Sequence, residues 1–159
     1  MTEDAHSLRL ALVTGMSGAG RSTAARALED LGWFVIDNIP PALLAGAVDL
    51  ARHTPGVDRV GVVLDARGGT FFQQILEVID VLPGDGVELR TVFLEASDEA
   101  LVRRFESSRR PHPLQHGKRI LDGLQAERAM LADLRVRADL VIDTTSINVH
   151  ELQIGRAHV

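Results

Sequence analysis

The chain has 159 residues, a net charge of −5, 45% hydrophobic and 25% charged residues, and no cysteine. That is one domain's worth of chain, able to bury about 70% of its unfolded surface. The acidic balance argues against generic adhesion to nucleic acid or anionic membrane, and the lack of cysteine removes disulfides and thiolate metal sites and fits a cytoplasmic location. The polar start MTEDAHS is expected to be disordered over residues 1–7, and the apolar run after it is far too short for a signal or transmembrane segment.

From Leu8 to Thr23 the sequence LRLALVTGMSGAGRST reads as a buried strand, a glycine-rich turn and a helix. The spacing Gly15, four residues, Gly20, Arg21, Ser22 fits the phosphate-binding P-loop at every position but one, Arg21 standing where lysine is usual. Gly15, Met16, Ser17, Gly18, Ala19, Gly20, Arg21 and Ser22 are therefore the candidate nucleotide-binding loop. Its glycines permit positive φ and let N–H groups turn inward, and the helix start adds a positive end suited to a polyphosphate. Arg21 would supply charge to the terminal phosphates and Ser22 a hydroxyl to Mg2+. A plain glycine-rich turn is the alternative. The dinucleotide fingerprint is excluded, because these glycines are spaced by three and two rather than two and three.

GWFVIDN (32–38) reads as a second buried strand ending in Asp37 and Asn38, followed by a helix over 41–53 with Leu43, Leu44, Ala47, Val48 and Ala51 on one side. Asp37 is a tentative catalytic residue at the sheet edge where ligands bind, or equally part of a capping turn. The unbroken apolar run Val60–Leu64 marks a third strand, buried on both faces. Asp65 ends it, placed as the second nucleotide motif requires to hold Mg2+ through water; a solvated strand end is the alternative. Arg67 could reach a phosphate or a base edge, or simply face solvent. A helix with Phe71, Phe72, Ile75, Leu76, Ile79 and Leu82 as its core stripe comes next, then a strand over 87–96 and a helix with Ser97 as N-cap.

Between Arg103 and Arg119 there are six arginines and lysines with His112 and His116. This run is a candidate lid over phosphates, through Arg103, Arg104, Arg109 and Arg110, or a basic face for a partner, RNA included. Zinc is not expected there, since Pro113 breaks any helix between the histidines and no thiolate or carboxylate completes a set. A long helix over 118–137 and a fifth strand ending at Asp143 complete the pattern. Thr144, Thr145 and Ser146 after it would lie near a nucleotide base or cap a helix. Alternating strands and helices after such a loop predict an α/β fold: a P-loop NTPase three-layer sandwich, its five-stranded sheet mainly parallel with helices on both faces.

GMSGAGRSTAARALEDLGWFVIDNIPP, VVLDARGG, LEASDEALVRRFESSRRPHPL and ADLVIDTT resemble the RapZ (YvcJ) family of P-loop nucleotide-binding proteins, in its branch from high-GC bacteria. The likeness runs from about Leu8 to Leu152, and the DN-x-P and RR-x-HPL elements are more specific than the loop itself. It implies binding of ATP and GTP with weak hydrolysis, the nucleotide held by Gly15 to Ser22, and a second GTP-linked element at Asp65, Ala66, Arg67 and Gly68. It also implies an adapter role, known for relatives that steer a small RNA to an RNase, but in the family the RNA and sugar-phosphate functions are associated with a C-terminal domain that is expected to be absent from this chain. The nucleotide-binding domain is placed at 8–153. The ending IGRAHV does not continue the family pattern and is also what a common sequencing-adapter oligonucleotide encodes in one frame, so 154–159 reads as a non-native tail.

Three functions follow: a nucleotide-binding regulatory or adapter module with slow hydrolysis, a small-molecule kinase, or an RNA-binding regulator. Asp37 separates the first two, because a kinase would use it to position or deprotonate an acceptor hydroxyl.

Overall fold

A computed structural model describes residues 5–65, 69–84, 86–108 and 120–146. Ala66, Arg67, Gly68, Arg109, Arg110, both lid histidines and the suspected tail lie outside them. In chain order the elements are β1 (Leu8–Gly15), α1 (Arg21–Asp30), β2 (Phe34–Asp37), a 3-10 turn (Pro41–Leu43), α2 (Leu44–Arg52), β3 (Arg59–Val63), α3 (Gly69–Val81), β4 (Val87–Glu95), α4 (Asp98–Ser108), α5 (Ile120–Met130), α6 (Ala132–Arg137) and β5 (Leu140–Asp143). The five strands form one parallel sheet in the order β2-β3-β1-β4-β5, flanked by the helices as expected. The chain leaves β1 toward β2 and β3 on one side and returns to its other side for β4 and β5. The crevice at the carboxyl end of β1 is therefore where a doubly wound sheet takes its ligands.

β1 is central and pairs with β3 from Arg9 to Val13 and with β4 along its whole length. A strand hydrogen-bonded and covered on both sides needs apolar residues throughout, and Leu10, Ala11, Leu12 and Val13 are all buried. Val60, Val62, Val63 and Leu64 match them next door. Gly61 lets α1 lie close to β3, since a Cβ there would meet Leu28 Cδ1 at 2.8 Å. Asp139 extends the β5 side of the ladder: its Oδ2 accepts the Thr91 N–H at 2.7 Å, one residue before β4 pairs with β5, and its own N–H donates to Thr91 Oγ1 at 3.0 Å.

Three expectations change. The second strand is a four-residue edge strand rather than a buried one; Phe34 is 57% exposed because only β3 flanks it. Leu43 does not share a face with Leu44 and Val48, because the prolines start the segment as a 3-10 turn and leave Leu43 60% exposed. The long helix over 118–137 is two helices, α5 and α6, with Leu131 between them as a buried, non-helical N-cap of α6.

The sheet fixes the turn after β1 by a contact that admits no side chain. Gly15 has φ +153°, and a Cβ built there would sit 2.2 Å from the Leu94 carbonyl oxygen, backbone that cannot retreat without opening the β1–β4 ladder. Gly15→Ala is expected to destabilise the domain by more than about 4 kcal/mol, the range of core overpacking combined with backbone strain. Urea unfolding followed by circular dichroism checks this.

Candidate functional site

The loop between β1 and α1 bends on Gly18 (φ +83°) and Gly20 (φ +106°), the latter the left-handed N-cap of α1. No side chain caps this helix. Several loop N–H groups are used internally: Met16 donates to the Leu94 carbonyl, Ala19 to the Met16 carbonyl and Ala24 to the Gly20 carbonyl. Among the described residues no backbone acceptor meets the N–H groups of Gly18, Gly20, Arg21 or Ser22. An uncapped helix start with unbonded N–H groups is the kind of geometry that suits an anion.

Met16, Ser17 and Ala19 are buried, so they frame the loop rather than line its mouth. Ser17 is held by a residue that the sequence reading passed over. Glu127 of α5 is completely buried and accepts both Ser17 donors, the N–H at 2.9 Å and the hydroxyl at 2.6 Å. Its place was legible in the spacing of Leu124, Glu127, Leu131 and Leu134, which sets a carboxylate in the middle of a buried stripe. The next residue, Arg128, donates to the Ala96 carbonyl at 3.0 Å and to Asp98 Oδ1 at 2.7 Å, tying the same helix to the start of α4.

Arg21 opens α1, and its guanidinium turns toward the end of β3. There it donates to the Leu64 carbonyl at 3.2 Å and lies 3.6 Å from Asp65 Oδ1. The pairing of β1 with β3 continues one step past the strand, Leu64 N–H donating to the Val13 carbonyl, which sets Asp65 beside the loop. Both side chains are largely but not fully covered, at 18% and 30% exposure. Asp37 lies at the same sheet edge, at the end of β2, paired in register with Val63.

Of the four candidate lid arginines, Arg103 and Arg104 are described, and they behave differently. Arg103 is exposed. Arg104 reaches across the back of the loop, donating to the Gly18 carbonyl at 3.0 Å, to Thr144 Oγ1 at 3.1 Å and to the Thr144 carbonyl. Burial holds its pKa below the usual arginine value, with Arg103 acting the same way and Asp143 opposing. Thr144 is buried, and its hydroxyl lies 2.9 Å from the Ala19 carbonyl. The loop after β1 and the loop after β5 are thus one hydrogen-bonded unit.

Behind Thr144 the network continues: Ser97 N–H donates to Thr145 Oγ1 at 2.8 Å, and Thr145 donates its N–H (2.9 Å) and hydroxyl (2.5 Å) to Asp143 Oδ1. Ser97 also caps α4 as expected, its Oγ accepting the Ala100 N–H at 3.1 Å.

Taken together, a five-stranded parallel sheet in this order with a glycine loop between its central strand and the following helix defines a P-loop NTPase α/β fold. Solved structures with the same fold include shikimate kinase from Acinetobacter baumannii, in complex with shikimate (TM-score 0.62, 17% identity, 96% of this chain and 92% of that one), and a gluconokinase from Sinorhizobium meliloti (TM-score 0.56, 19% identity, 96% and 94%). The profile of the RapZ-like N-terminal domain matches residues 8–156, and the chain belongs to that family. It is 58% identical over 147 residues to a nucleotide-binding protein of Frankia alni, covering 92% of this chain and 51% of the relative. It is 60% identical over 145 residues to one of Streptomyces coelicolor, covering 91% and 48%. The chain spans about half the length of these curated relatives. Among the described residues no helix is long and apolar enough to cross a membrane.

The Asp143 carboxyl is held below its ordinary value of 3.8 by the Thr145 hydroxyl and N–H, with burial opposing and Arg104 and Arg128 assisting. A depressed carboxylate contributes stability above its unfolded pKa and loses it as pH falls through the folded value. Thr145→Val removes the largest cause, so the Asp143 pKa, followed by NMR, is expected to rise toward 3.8 and acid unfolding to begin at higher pH.

Proposed function

We propose that this domain binds a purine nucleoside triphosphate, ATP or GTP, in the β1–α1 loop and hydrolyses it slowly, as the nucleotide-responsive part of a regulatory or adapter protein. The observation that carries this reading is the uncapped start of α1. The N–H groups of Gly18, Gly20, Arg21 and Ser22 meet no backbone acceptor among the described residues there, with Arg21 and Asp65 beside them. The relatives named above as nucleotide-binding proteins support it.

Mg2+ fits the donor set. Ser22 and Asp65 offer hard oxygens, the latter through water, while among the described residues no group of three His, Cys, Asp or Glu converges. A cation would therefore share its shell with phosphate oxygens, which is how Mg2+ is usually held at nucleotide sites. When bound, it neutralises charge on the terminal phosphates. Arg21 would leave Asp65 to grip a phosphate oxygen pair, a role its planar fork serves better than a single ammonium would. Whatever partner reads the nucleotide state, protein or RNA, is proposed to meet the basic stretch 103–119, on its charge.

A small-molecule kinase is the second reading, favoured by the place of Asp37 at the loop's own sheet edge. Against it, the segment after Asn38 enters through two prolines to an exposed Leu43 and gives little to grip a polar acceptor. An acceptor pocket that excludes water is what keeps transfer ahead of hydrolysis.

Arg21→Ala is expected to weaken ATP and GTP binding at least tenfold, about 1.4 kcal/mol, and Arg21→Lys to retain it, by calorimetric titration. Equal affinity in Arg21→Ala and the parent removes the loop from the site. Asp65→Asn is expected to reduce the Mg2+ dependence of binding and hydrolysis more than nucleotide affinity itself; unchanged Mg2+ dependence makes Asp65 a plain strand end. With terminally labelled ATP or GTP and mixed metabolites, the label is expected in inorganic phosphate alone. A labelled small-molecule product that disappears in Asp37→Asn makes the kinase reading the better one.

A further inference from the structure

We infer that Glu127 is a positioning residue of the phosphate loop: from behind, through both Ser17 donors, it holds the loop in the shape that receives a polyphosphate. The inference rests on the proposed nucleotide site and assigns it a residue that never meets the ligand.

A carboxylate with no exposed surface is costly to bury unless its oxygens are satisfied, and here each oxygen takes one donor of the same residue. The two bonds fix Ser17 in both backbone and side chain. They also settle the division of labour along the loop. The Ser17 N–H is committed to Glu127 and closed to a phosphate, whereas the N–H groups of Gly18, Gly20, Arg21 and Ser22 meet no backbone acceptor among the described residues. Arg104 grips the very next residue from α4, at the Gly18 carbonyl. Two consecutive loop residues are thus held from two helices by opposite charges, before any ligand arrives. A loop already ordered gives up less conformational freedom on binding, so the latch acts on affinity.

The chemistry separates hydrogen bonding from charge. In Glu127→Gln the amide oxygen can still accept the Ser17 N–H while the amide nitrogen donates to Ser17 Oγ, so the latch survives without its charge. In Glu127→Met the volume stays and both acceptors go.

The test is titration with ATP and GTP in the presence of Mg2+ on the full chain, alongside amide hydrogen exchange at Ser17. All variants are checked for folding by circular dichroism. Glu127→Gln is expected within threefold of the parent and Glu127→Met at least tenfold weaker. In Glu127→Met the Ser17 amide should exchange at least tenfold faster while β1 amides stay protected. Ser17→Thr should match the parent, Ser17→Ala should bind at least threefold weaker, and adding Ser17→Ala to Glu127→Met should cost nothing further.

Parent-like affinity in folded Glu127→Met, a Gln variant as weak as the Met variant, or additive losses would each overturn the inference. Should Glu127→Met not fold, the Ser17 pair decides: parent-like binding by Ser17→Ala overturns it. A parent that binds neither nucleotide defeats the proposed function instead. In that case Ser17 exchange decides whether the latch holds the loop, and unchanged protection in Glu127→Met overturns it.

Discussion

Everything at the site depends on β1 being paired on both sides, to β3 as far as Val13 and to β4 through its last residue, Gly15. Parallel ladders to β3 and β4 leave it no freedom to shift, and the close approach of Gly15 to the Leu94 carbonyl ends the strand at a point where only a glycine backbone passes. The loop therefore begins from a fixed position and direction. A phosphate nest relies on this, because its donors must converge within tenths of an ångström on oxygens they do not choose.

From that fixed start the loop is held by polar contacts as well as by the apolar packing of Met16 and Ala19 in the core. Glu127, Arg104 and Thr144 come from three different elements, and each grips loop backbone or Ser17. The arrangement suits a strand-to-helix turn. Such a turn exposes many N–H and C=O groups, those facing inward need partners, and those facing outward must stay free for a ligand. Arg128 with Asp98 and Arg135 with Glu95 extend the same polar framework along the carboxyl end of the sheet; Arg135 bonds Glu95 through two nitrogens, at 2.7 and 3.1 Å.

Much of this was legible in the sequence because the physical signals were local. The run Leu10–Val13 before the glycines, the unbroken apolar stretch Val60–Leu64 and the Ser97 cap each state their own structure. What the chain did not announce depended on neighbours. Phe34–Asp37 has the composition of an inner strand and becomes an edge because no strand follows β2 outward. The break at Leu131 carries no proline or glycine to mark it. At the site, the glycine spacing and Arg21 were readable. The partnership of Ser17 with Glu127 spans 110 residues, and that of Arg104 with Gly18 spans 86, so no local pattern could reveal either.

Trp33 is the chain's single tryptophan, and there is no tyrosine. It stands at the amino end of β2, the end of the sheet opposite the loop, with the Arg59 guanidinium 5.8 Å from its ring centroid. Intrinsic fluorescence of this protein is therefore an optical gauge of one remote corner. It follows the docking of the edge strand against β3. Unfolding of that edge can thus be followed from one indole, without a second tryptophan or a tyrosine to confuse the signal.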